Sequence, residues 1–258
     1  HVKKVVCEMG GKNAIIVDSS ADLDEAVLGT RLSAFGFQGQ KCSACSRCII
    51  VDPKGPDGEH TRTFIRRLVA STNSLVIGDP MKPGTDVGPV IAEEAASNMR
   101  RHNETAKKEG LKLELAMDVP DGLVESVGKP YIAPHIFSGV TPDKTLARQE
   151  VFGPVLAIMH AKTYEEALKI ANDHPYKLTG GVFTRKPTHI AKAKRDFRVG
   201  TLYINRGITG ALVARQPFGG FGMSGVGSKA GGVDYLLQFV EPRASCENTM
   251  RRGFAPEL

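Results

Sequence analysis

The strongest constraint on the fold of this chain is an alternation. Short, β-branched apolar runs recur along its length, and helix-length segments separate them. The runs are "NAIIVD" (13–18), "RCIIVD" (47–52), "LKLELA" (111–116), "YIAPHIF" (131–137), "PVLAIMHA" (154–161), "LTGGVFT" (178–184) and "GTLYIN" (200–205). Between them, residues 21–37, 60–73, 92–109, 163–173 and 187–197 carry helical patterning, with Asp18, Ser19 and Ser20 offering N-cap oxygens to the first. Strands that alternate with helices argue for an α/β fold, here a three-layer, open, mostly parallel sheet with helices on both faces. "VKKVVCEM" (2–9) reads as a further strand, "SLVIGDP" (74–80) as a strand entering a turn, and "VDYLLQFV" (233–240) as a helical or strand stretch. No repeat, linker or low-complexity tract interrupts the pattern, so residues 1–258 are expected to form one domain. A first residue that is His1, with a strand already under way, leads us to expect a piece of a longer protein.

Composition removes several classes of function. The net charge of +6 is modest, and its densest groups, "KAKRD" (192–196) and "MRR" (250–252), are too short for a nucleic-acid footprint. An anionic small substrate suits the charge better. No apolar run approaches the ~18–20 residues of a membrane span, and no signal peptide is visible. Five cysteines, three of them within seven residues, make a poor disulfide framework and point to a reducing compartment.

Those three, Cys42, Cys45 and Cys48 in "FQGQKCSACSRCIIVD" (37–52), pose the main chemical choice. As a metal cage they lack a fourth ligand, since the next cysteine is Cys246. Cys48 also falls on an apparent strand, where a small buried thiol is ordinary packing. As a nucleophile, Cys42 stands out. It follows Gly39-Gln40 at a helix end, precedes Ser43-Ala44, and has Lys41 beside it to favour a thiolate. No histidine is singled out as its base, so a carboxylate is the better candidate.

These residues carry a resemblance. "FGFQGQKCSA" is similar to the cysteine signature of the aldehyde dehydrogenase superfamily, and "CEMGGKN" (7–13) to its glutamate signature. "QEVFGPVLAI" (149–158), "LTGGVFTR" (178–185) and "QPFGGFGMSG" (216–225) follow in the family's order. Within the superfamily, "GFQGQKCSACSR" and "SKAGGVDYLLQF" most resemble the glutamate-γ-semialdehyde (1-pyrroline-5-carboxylate) dehydrogenase branch, which in some bacteria forms the C-terminal half of proline utilization A.

The resemblance implies a catalytic domain in which Cys42 attacks an aldehyde and Glu8 is the general base for thioester hydrolysis. It implies NAD as cofactor, with Glu150 on the nicotinamide ribose and Phe152 against the nicotinamide. No G-x-G-x-x-G is present, so most of the dinucleotide site is expected in a domain upstream, and the isolated chain is expected to turn over poorly. The implied substrate is glutamate γ-semialdehyde. Ser43 and the backbone of Gly231 and Gly232 would surround its carboxylate, and Phe239 would pack on its aliphatic chain. The loop reads "GVGSKAGGV", where relatives often have Thr after the first Gly and Pro after the Gly pair. The family further implies homo-oligomers, with 239–258 as the oligomerisation strand and tail, and a cytoplasmic (or, in a eukaryote, mitochondrial-matrix) location. No metal, nucleic-acid or membrane partner is implied.

Overall fold

A computed structural model describes residues 1–250. In chain order its elements are β1 (Cys7–Glu8), β2 (Asn13–Val17), α1 (Leu23–Phe35), β3 (Cys45–Val51), α2 (Glu59–Asn73), α3 (Glu93–Lys108), β4 (Lys112–Ala116), α4 (Leu123–Val127), β5 (His135–Ser138), α5 (Thr145–Arg148), β6 (Val155–Ala161), α6 (Tyr164–Asn172), β7 (Tyr176–Lys177), β8 (Thr179–Phe183), α7 (Pro187–Asp196), β9 (Thr201–Ile204), β10 (Phe221–Gly222) and β11 (Gly225–Val226). Seven strands form the main sheet in the order β4-β5-β6-β3-β2-β8-β9. All neighbours run parallel except the edge pair β4 and β5, which is antiparallel.

Alternation along the central strands sends side chains to two cores. Ala14 and Ile16 of β2, with Ile49 and Val51 of β3, pack on Met99 of α3 and on Tyr164, Ala167 and Leu168 of α6. Ile15 and Val17, with Cys48 and Ile50, pack on Val27 and Phe35 of α1 and on Phe64 and Leu68 of α2. A strand covered on both faces can be apolar at every position, which is why β2 is buried throughout and shows no polar alternation. Close helix-to-sheet approach comes from Gly29 in α1. A Cβ there would collide with the Phe183 ring of β8.

Several expectations change in detail. The cap of α1 is Asp22, whose Oδ1 accepts from Asp24 N at 3.1 Å and Glu25 N at 3.3 Å. Ser20 instead bonds back to Asp18 at 2.6 Å. Of "VKKVVCEM", only Cys7–Glu8 is strand, and it lies outside the main sheet, paired antiparallel with β11. "SLVIGDP" contributes an isolated bridge between Ile77 and Val87, and "VDYLLQFV" holds a 3-10 turn, Tyr235–Phe239. Residues 240–250 have no regular structure and are exposed, and residues 251–258 of the expected oligomerisation tail lie outside the described residues. The short helices α4 and α5 and the β7–β10 pair went unread because two to five residues carry too little periodicity.

Candidate active site

Parallel pairing explains why distant motifs meet. β6, β3, β2 and β8 are consecutive in the sheet and point the same way. The segments just before them therefore share its N-terminal edge: 149–154, 40–44, 8–12 and 176–178. The first three carry Glu150 and Phe152, Cys42 and Ser43, and Glu8.

Cys42 reaches this edge through a sharp reversal. α1 stops at Gly36, and Phe37 and Gln38 both adopt left-handed backbone, with φ near +56° and +55°. Gly39 follows at φ +64°, where a Cβ would meet the carbonyl of Gly153. One residue that sequence reasoning passed over, Asn13, then pins the turn. Its Nδ2 donates to the carbonyls of Cys42 and Ala44, both at 2.8 Å, and its Oδ1 accepts from Thr179 N at 3.0 Å. Three of the converging segments are thus tied by one buried amide. The hint available was a polar residue at the head of an otherwise apolar strand. Arg47, also buried, donates to Lys12 O at 2.9 Å and to carbonyls of α6.

The two glycines after Glu8 allow a carboxylate to approach the backbone. Gly11 N donates to Glu150 Oε1 at 2.9 Å, and a Cβ on Gly10 would overlap the Glu150 carboxylate. Phe152 follows with left-handed backbone, φ +55°, and an exposed ring. Lys12 is buried beneath them. Desolvation, with Arg47 adding to it and Glu150 opposing it, draws its pKa down to about 7.

Cys42 is half-buried. Burial is the main cause raising its thiol pKa, and the Glu8 and Glu150 carboxylates add to the rise, while the Ser43 and Cys42 backbone N–H groups oppose it. Lys41, expected to favour the thiolate, is not among the groups that act on the thiol; its ammonium stands 5.9 Å from the Phe37 ring centroid. Glu8 lies on β1, and packing around its carboxyl raises its pKa, an effect that Lys229 opposes. Cys45 and Cys48 point into the apolar core, where burial pushes the Cys45 thiol up to about 12 and Cys48 well above the ordinary thiol range.

A cavity of about 520 Å³ opens beside Cys42, lined also by Ser43, Leu212, Val213, Phe218 and Gly231. Of the expected substrate residues, the structure brings Ser43 and Gly231 to this cavity. Gly232 turns its N–H to Lys229 O at 3.0 Å and lies near Pro217, so it does not line the space. Phe239 also stays outside. It sits on the exposed 3-10 turn with its ring against Tyr235, 5.3 Å between centroids. The apolar wall expected from Phe239 comes instead from Leu212, Val213 and Phe218, on loops that carry no periodic signal.

Comparison with known proteins follows the same outline. The family model described as "Aldehyde dehydrogenase family" matches residues 1–244. This chain belongs to the aldehyde dehydrogenase family. Among curated relatives, 1-pyrroline-5-carboxylate dehydrogenase of Geobacillus sp. strain WCH70 is 43% identical over 246 residues, covering 95% of this chain and 45% of the relative. That of Bacillus subtilis strain 168 is 42% identical over 249 residues, with the same coverage. This aldehyde dehydrogenase chain therefore spans about 45% of the length of the curated relatives it matches. Among solved structures, proline utilization A from Bdellovibrio bacteriovorus superposes with a TM-score of 0.90 at 49% identity, covering 100% of this chain and 25% of that one. A Thermus 1-pyrroline-5-carboxylate dehydrogenase with bound NAD gives 0.80 at 44% identity, covering 92% and 43%.

Proposed function

We propose that this chain forms the cysteine-bearing catalytic part of a glutamate-γ-semialdehyde (1-pyrroline-5-carboxylate) dehydrogenase, acting in proline breakdown. The observation that carries this reading is the convergence of Cys42, Glu8 and Glu150 at one sheet edge beside a cavity. Identity of 42–44% to enzymes of that name supports the branch.

In this reading Cys42 Sγ bonds to the aldehyde carbon, making it tetrahedral, because an sp² aldehyde carbon does not readily release hydride. The raised thiol pKa means the proton leaves as the substrate is attacked; Glu8, the nearby carboxylate, can receive it and passes it to solvent, so that it is ionised again before the hydrolytic step. NAD fits the chain's own residues. One oxygen of Glu150 is fixed by Gly11 N–H, its position is one that only a glycine at residue 10 leaves free, and Phe152 offers an open ring. Those two residues would hold the nicotinamide-ribose end, and the bound cofactor would supply the hydride acceptor that leaves a thioester on Cys42. Glu8 then draws a proton from the water that cleaves the thioester. Ser43 and Gly231 would receive the substrate carboxylate at the far end of the cavity, with Leu212, Val213 and Phe218 along the chain.

Homo-oligomeric assembly through the exposed segment after Phe239 and a cytoplasmic location belong to the same proposal. No helix among the described residues is long and apolar enough to cross a membrane, and all five cysteines are free. The test is steady-state oxidation of glutamate γ-semialdehyde against succinate semialdehyde by the full-length protein, with Cys42→Ala as control. A preference for glutamate semialdehyde that vanishes in the variant is expected. Equal kcat/KM for the two aldehydes would overturn the substrate assignment.

A further inference from the structure

Glu8 does not stand alone at the sheet edge. β1 pairs it with Gly225 of β11, and Met9 N donates to Ser224 O at 3.1 Å, so the glutamate is mounted against the C-terminal glycine loop. Ser224 is itself buried and accepts from Lys177 N at 2.8 Å, which fixes that loop to β7. Further along the loop, Phe218 and Ala230 exchange two backbone hydrogen bonds, 2.9 and 2.6 Å. This bridge sets Gly219 and Lys229 side by side.

Gly219 is buried, with φ +153°. A Cβ built on it would lie 3.3 Å from Glu8 Oε1 and 3.4 Å from Lys229 Cδ. The carboxylate and the lysine stem thus border the same small space, which the missing side chain leaves open. Lys229 Nζ donates to Gly220 O at 3.4 Å and lies 6.0 Å from the Phe221 ring centroid, so the ammonium is tethered rather than free to swing into solvent. Glu8 and Glu150 both lie close enough to the Cys42 thiol to act on it by charge. Desolvation disfavours the charge on Glu8, and Lys229 is the cation that favours it.

We propose that Lys229 is a positioning residue for Glu8, holding its carboxylate ionised and turned toward Cys42. The inference rests on the reading of Cys42 as nucleophile and Glu8 as base. In the step concerned, water adds its oxygen to the thioester carbonyl carbon and gives a proton to Glu8. The C–S bond then breaks with its electron pair on Cys42 Sγ, Glu8 returns the proton to that sulfur, and the acid leaves. A carboxyl group that is already protonated cannot begin this sequence. The sign is therefore fixed: removing the cation raises the pKa of Glu8 and moves the rising limb of hydrolysis to higher pH.

The experiment needs no cofactor. p-Nitrophenyl acetate acylates a nucleophilic cysteine in a burst of nitrophenol, and the later steady rate reports hydrolysis of the acyl-enzyme. Burst and steady rate are recorded against pH for the wild type, Lys229→Met, Lys229→Gln and Lys229→Arg. The expected result is an inflection of the steady rate about one pH unit higher in the Met and Gln variants, with about a tenfold loss below it, and restoration by Arg. Unmoved inflections in both neutral variants, with the burst present, would overturn the role of Lys229 alone. Absence of a burst in the wild type, or its survival in Cys42→Ser, would overturn the cysteine reading and this inference with it.

Discussion

Replacing Asn13 with Ala tests whether one buried amide holds the candidate site together. The side chain makes three hydrogen bonds, donating to the Cys42 and Ala44 carbonyls and accepting from Thr179 N–H. Truncation strands two acceptors and one donor where water has little access, since Asn13 is 4% exposed. Each stranded group costs about 1–3 kcal/mol, and with partial rearrangement the expected loss is about 3 kcal/mol in all. For a chain of this size that is a fall of about 6–12 °C in Tm. Asn13→Asp should be worse near neutral pH. It still accepts from Thr179 N–H but turns a carboxylate toward two carbonyl oxygens. Acidification should narrow its deficit, because the protonated acid can donate to one of them. Urea unfolding at two pH values measures both effects, and the iodoacetamide rate at Cys42 reads whether its loop has moved. An Asn13→Ala loss below about 0.5 kcal/mol, with Cys42 labelling unchanged, would refute the claim that this amide ties the three segments.

Other outcomes follow from the same geometry. Gly10→Ala should destabilise by about 1–3 kcal/mol through its clash with the Glu150 carboxylate. Adding Glu150→Ala should return most of that loss in urea unfolding, and strictly additive losses would show that the two residues do not touch. Cys42 labelling should keep accelerating with pH through the ordinary thiol range and beyond, because burial and two carboxylates raise its pKa. Glu8→Gln should speed labelling a few-fold near pH 8, and a plateau below pH 7.5 would contradict this. Cys45 and Cys48 should resist labelling until the chain unfolds, as mass spectrometry after brief alkylation will show. Prompt native labelling of either would mean that the core beneath β3 is open.

The legible part of this protein was local. Apolar runs with β-branched residues marked five of the seven main strands closely; in four of them burial on both faces leaves a continuous apolar signature, while β9, at the other edge of the sheet, is only partly buried. The edge strand β4 was also found, although none of its residues is fully buried. Cys42 could be told from Cys45 and Cys48 by its loop of small residues, while the other two lie on strand positions that tertiary packing buries completely. Other features were not legible. The turn at 235–239 has the composition of a packed helix, yet Leu236, Leu237 and Phe239 face outward, and sequence cannot say which face a short apolar stretch will present.

By itself, the sequence determined the element types, the family and the residues able to do covalent chemistry, since each rests on neighbours within a few positions. Only the tertiary structure decided which of those residues meet. Strand order and parallel register put segments more than a hundred residues apart, such as 8–12 and 149–154, on one edge, and no local pattern encodes that order. The same is true of charge. The raised pKa of Cys42, the lowered one of Lys12 and the opposition of Lys229 to Glu8 all arise from burial and from groups brought close through space. An ionisation constant responds to distance and desolvation, and neither exists until the chain has folded.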